Sequence, residues 1–199
     1  TRFLGRCKSV FVILALAFVG ALQITCSAPT AGSLPAVDLQ GMETFAAEKI
    51  RALMQEVEKN PDDAEAWGKL AMNLDIHDLK NESVPCYEQA IALAPQTFRW
   101  RYYRAMVADE IGAPETLELY EKAHSIQPDY PPLLYRYGKA LRAHGKTAAA
   151  KSVLTQAAES KDPSAAAFAF WELAEIELVN DNLHESRELL LESLQRHPT

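Results

Sequence analysis

Residues able to exchange protons, attack carbonyls or hold metals occur in this chain but are nowhere gathered. The five histidines (His77, His124, His144, His184 and His197) lie far apart, each in an expected turn or near a helix end. His144 beside Gly145 reads as an interhelix turn, and His184 with Glu185 and Glu188 as a solvated helix start. Cys7, Cys26 and Cys86 share no CxxC spacing and are odd in number, so neither a disulfide framework nor a zinc site is indicated. Cys86 next to Tyr87 reads as a small apolar core residue. No Gly-rich phosphate loop, HExxH, GxSxG or carboxylate pair is present, so the chain is expected to be noncatalytic and without a cofactor.

The composition fits a globular protein, with 48% hydrophobic and 24% charged residues. The net charge of -7 argues against general affinity for nucleic acid or an anionic membrane, which require a basic footprint.

At the amino terminus, Arg2, Arg6 and Lys8 precede a run from Val10 to Leu22 with no polar side chain. That is the length of a signal-peptide apolar region and short of the roughly 20 residues that span a bilayer. Residues 1–26 therefore read as a signal peptide or membrane anchor, and residues 27–41, rich in Ala, Pro, Ser and Gly, as a flexible linker. Cys26 resembles the acylated cysteine of bacterial lipoproteins, although Gln23 and Thr25 depart from the aliphatic and very small residues usual before it. Acylation at Cys26, cleavage near Ala28 and an uncleaved anchor all remain open. Each predicts an exported protein of the periplasm or cell surface, the first and third with a membrane tether.

What must position any functional side chain is helix. Ala46, Ile50, Leu53, Met54 and Val57 recur at spacings of three and four, predicting an amphipathic helix over about 42–59 that docks on Trp67 and Leu74 within a packing segment 42–63. From Ala64 a pattern of small and large apolar residues returns about every 34 positions. Trp67, Leu70, Ala71, Leu74, Ser83, Tyr87, Ala90 and Pro95 form the first copy. A second, from about 97, has Trp100, Tyr103, Val107, Tyr120, Ala123 and Pro128, with Arg104 where a small residue is usual. A third, from about 131, has Leu134, Tyr137, Gly138, Leu141, Ala150, Leu154 and Ala157. The fourth, from about 167 after a two-residue insertion, has Phe170, Leu173, Ala174, Ser186, Leu190, Ser193 and Pro198. Within the array, Asn81 is expected to cap a helix from Glu82, Pro85 to fall in its first turn, and Pro114 to open another helix.

These positions resemble the tetratricopeptide repeat family, which implies an all-α, right-handed solenoid of about four helix-turn-helix repeats over 64–199 that binds proteins. In that family the first helix of each repeat lines a concave groove. The resemblance carries this onto Lys69, Met72, Arg101, Tyr102, Tyr135, Arg136, Lys139, Arg142, Trp171 and Glu175. Five of these are basic in an acidic chain, which suits an extended acidic peptide; the alternative is that the arginines pair with carboxylates of adjacent repeats. Gly68 and Met72 do not match the chaperone-tail clamp known in some members.

The expected function is a noncatalytic adaptor, exported and membrane-tethered. The phrase from Asn60 to Trp67 is similar to repeat openings in cytochrome c maturation factors, which makes such an assembly role one alternative. Another is an accessory region of a larger enzyme, because the chain starts at Thr1 and stops at Thr199 without a polar capping helix. The identity of the partner and the oligomeric state are not readable from the residues.

Overall fold

A computed structural model describes residues 32–196. The signal or anchor segment, Cys26, His197 and Pro198 lie outside the described residues.

Nine α-helices and no strand make up the described residues: α1 Thr44–Lys59, α2 Ala64–Ile76, α3 Lys80–Leu93, α4 Phe98–Glu110, α5 Thr116–Ile126, α6 Pro131–Ala143, α7 Thr147–Ala158, α8 Pro163–Val179 and α9 Leu183–Arg196. Each helix packs on its neighbours in sequence, and α2 touches α4, α4 touches α6 and α6 touches α8, whereas the odd-numbered helices make no such contacts with one another. The stack is therefore tight along the even helices and open along the odd ones, which curves it with the even helices inside. None of the described helices is long and apolar enough to cross a membrane.

One turn is repeated in every hairpin. Asp78, Gly112, Gly145 and Asp181 adopt positive φ (63°, 66°, 72° and 62°). The following amide then donates five residues back, in Leu79 N to Leu74 O, Ala113 N to Ala108 O, Lys146 N to Leu141 O and Asn182 N to Glu177 O, at 2.8–2.9 Å. This is the Schellman closure, which satisfies carbonyls left free at the helix end.

The core is continuous through three apolar clusters, with Trp67, Tyr87, Trp100, Tyr120, Leu133 and Leu154 fully buried. α1 joins it as expected, with Ile50, Leu53 and Val57 in one cluster with Trp67 and Leu74. Trp67 Nε1 donates to the Pro61 carbonyl at 2.8 Å, which satisfies the indole N–H in the core. Small residues sit at the close crossings. A Cβ on Gly68 would lie 2.3 Å from the Trp100 ring, and one on Gly138 would lie 2.5 Å from Leu154 Cγ.

Several local expectations are corrected. Residues 32–41 of the expected flexible linker, and Met42 after them, are laid against the first repeat, where Leu34, Val37, Leu39 and Met42 pack on the core and Gly32 abuts Gln89. Helix α3 begins at Lys80, not Glu82. Its N-cap is Leu79, with no side-chain cap from Asn81, because the Schellman turn already aims the backbone into the helix. Pro85 falls in the second turn, where its missing N–H costs a ladder bond on the exposed side. Pro114 lies two residues ahead of α5. The insertion before the fourth repeat is absorbed as an extra turn at the start of α8, which begins at Pro163 with Asp162 capping the Ala165 amide at 2.9 Å. Arg104, where a small residue is usual, is buried and reaches Glu115 and Glu88 at 3.0 and 3.2 Å.

Candidate functional site

Helices α6 and α8 share the inner face of the stack, and their lengths set which side chains point into it. On α6, Tyr135 and Lys139 are four residues apart and share a face; on α8, Phe168 and Trp171 do so at a spacing of three. With Glu172 and with Leu194 of α9 these line a cleft of about 480 Å³. Tyr135 and Phe168 stack at 5.2 Å between ring centroids with 24° between planes. Trp171 is 52% exposed, Phe168 45% and Leu194 71%, a concentration of large apolar surface that globular proteins rarely leave without use. A smaller cleft of about 180 Å³ shares Tyr135 and Phe168 and extends the trough to Tyr102 and Arg136. Aromatic walls of this kind grip an extended segment by contact area at low entropic cost.

The five expected groove cations separate into two groups. Arg142 donates from Nε to Glu172 Oε2 at 2.6 Å, across one repeat and onto a carboxylate whose side chain is only 7% exposed. Arg101 donates from Nε to the Pro95 carbonyl at 2.7 Å. Arg136 stands beside Tyr102, whose phenol is pushed up by burial and drawn partly back by that guanidinium. Arg142 thus makes the pairing with a carboxylate of the adjacent repeat that was the alternative to a free groove cation, whereas Arg101 meets only a neutral carbonyl. The side-chain ammonium groups of Lys69 and Lys139 are exposed and hold neither an ion pair nor a hydrogen bond among the described residues, and Lys139 alone of the two borders the large cleft.

The other expected residues are placed as follows. Tyr102 is mainly core, 6% exposed, stacked on Phe98 at 5.6 Å and edge-on to Tyr130 at 5.5 Å. Met72 is half-buried near the other end of the inner face. Glu175 faces a separate recess with Arg142. Trp171, Tyr135 and Lys139 are brought together. Phe168 is not among the residues the resemblance placed in the groove, although it stands on the first helix of the fourth copy, the kind of helix that lines it. Leu194 carried no such signal, because it comes from a second helix.

Repeat models describe parts of the chain. Two tetratricopeptide repeat models match residues 64–97 and 113–170. The cytochrome c-type biogenesis protein CycH of Rhizobium meliloti (strain 1021) is 27% identical over 170 residues, covering 81% of this chain and 44% of that protein. This chain thus spans less than half the length of that relative. Among solved structures, MamA of Desulfovibrio magneticus RS-1 superposes with a TM-score of 0.70 at 15% identity, over 77% of this chain and 86% of that one. YrrB, described as a tetratricopeptide repeat protein with an unusual peptide-binding site, superposes with a TM-score of 0.67 at 15% identity, over 77% and 79%. At such identities the likeness is one of fold.

Proposed function

We propose, from the premise that this chain is a tetratricopeptide repeat protein, that it is a noncatalytic adaptor holding an extended segment of a partner along its inner face. The observation that carries the reading is the cleft of Tyr135, Phe168, Trp171 and Leu194, with unpaired Lys139 at its rim. Its occupant is an apolar side chain flanked by a carboxylate: the walls take the first, and Lys139 answers the second. This keeps an acidic element in the partner but moves the weight from cations to aromatics, since Arg101 and Arg142 are engaged within the chain.

The role proposed for the adaptor is in cytochrome c biogenesis, supported by the resemblance to CycH. Export, with a tether at residues 1–26 and acylation at Cys26, belongs to the same proposal. Complementation tests it. A strain lacking the protein is expected to lose haem-stained c-type cytochromes, which the intact gene restores and a Phe168→Ala, Trp171→Ala double variant does not, although that variant accumulates and melts normally. Unchanged cytochromes in the deletion strain would remove the biogenesis role.

A further inference from the structure

The inner face changes character toward its amino-terminal end. Between α2 and α4 lies a second pocket of about 260 Å³, walled by Met72, Ile76, Tyr103 and Met106 and bordered on its polar side by Asp75 and Tyr87. Tyr87 is fully buried, yet its hydroxyl has no hydrogen-bond partner among the described residues; Asp75 lies near without meeting hydrogen-bond geometry. A buried phenol left so costs free energy that a hydrogen-bonding ligand returns. Asp75 is held by Lys80 at 2.7 Å, and the same ammonium reaches Glu110 at 2.5 Å. Two carboxylates against one ammonium leave this site with an excess negative charge, opposite to the Lys139 end of the face.

Those features select a shape and a charge together. A purely aliphatic side chain would fill the walls but leave the Tyr87 hydroxyl and the excess charge unanswered, and a carboxylate would be repelled. We propose that this pocket is a subsite for a lysine or arginine side chain of the partner. The alkyl stem lies between Met72 and Met106 and over the Tyr103 ring, and the cationic head faces Asp75 and the Tyr87 hydroxyl. The inference rests on the inner face being the partner-binding face, and it adds polarity: the bound segment carries a cation toward the first repeat and a carboxylate toward the last.

The four methionines make the test direct, since Met72 and Met106 line the pocket while Met42 and Met54 do not. The full chain, labelled with carbon-13 at its methionine methyls, is titrated with Nα-acetyl-lysine N-methylamide and with the norleucine and glutamate analogues. Saturable shifts are expected at Met72 and Met106 only, with the lysine probe bound about fivefold or more tightly than norleucine and glutamate not bound. Tyr87→Phe, which keeps the shape of the core, and Asp75→Asn are each expected to bring the lysine and norleucine affinities closer. Equal affinities for the two probes in the unsubstituted protein, or shifts spread over all four methionines, overturn the proposal even if a variant fails to fold. If that happens while a crosslinker at position 171 still captures the partner, the subsite alone is lost; capture lost with lysine preference retained removes the groove reading instead.

Discussion

Arg142 and Glu172 are thirty residues apart in sequence and 2.6 Å apart in space, joining α6 to α8 across a repeat boundary. The pair engages the guanidinium within the stack and compensates a carboxylate that would otherwise be buried alone. Arg142→Ala is therefore expected to lower stability by about 2–3 kcal/mol, read as a shifted thermal melt, while partner affinity at moderate temperature stays unchanged. Lost affinity with an unaltered melt would make Arg142 a binding residue after all.

Close crossings fix where side chains are forbidden. Gly68→Ala places a methyl 2.3 Å from the Trp100 ring, and Gly138→Ala places one 2.5 Å from Leu154 Cγ. Each is expected to cost about 1–3 kcal/mol in chemical denaturation, and Trp67→Ala about 3–5 kcal/mol by emptying the first cluster. Three melts equal to that of the unsubstituted protein would contradict this packing.

How much of this was legible follows from the same residues. Trp67, Gly138 and Leu154 declare a repeat because each must fill or vacate a fixed place between two helices, and that need recurs along the chain. The packed segment 32–42 was not legible: Leu34, Val37 and Leu39 are spaced without a helix or strand period, and their burial is decided by the surface they meet. The pairing of Arg142 was equally hidden, because charge pattern alone does not distinguish a groove cation from one answered by Glu172 of the next repeat. Phe168 was readable at its repeat position, whereas Leu194 needed the fold.

The recurrent turn offers a contrast between residue types. Asp181 takes the positive φ that Gly145 takes one repeat earlier, at 62° and 72°. Asp181→Gly is expected to raise stability, and Gly145→Ala, which meets open space but a strained backbone, to lower it, each by roughly 0.5–1 kcal/mol in paired melts. Shifts of the opposite sign would show that side-chain contacts, not backbone conformation, govern the turn.

Acid should loosen the carboxy-terminal repeats. Hydrogen bonds from Lys151 and then Asn182 hold the Glu177 carboxyl below its ordinary value of 4.5. A group with a depressed folded-state value contributes stability that is present above its unfolded value and lost as pH falls through the folded one. Stability is thus expected to drop below about pH 4.5, and Glu177→Gln to flatten that part of the profile in pH-dependent denaturation. An unchanged acid limb in the variant would remove Glu177 from the account.

The claim on which the functional account stands is that the aromatic cleft, and not the outer face, holds the partner. Replacing Trp171 with the photo-crosslinking residue p-benzoylphenylalanine tests it against the same replacement at Glu121, which is exposed on α5. After irradiation in cells, position 171 is predicted to give a discrete adduct with a partner protein that disappears with Lys139→Glu and Phe168→Ala, while position 121 gives none. An equal or stronger adduct from position 121, or none from position 171 in a strain that still makes c-type cytochromes, would contradict the account.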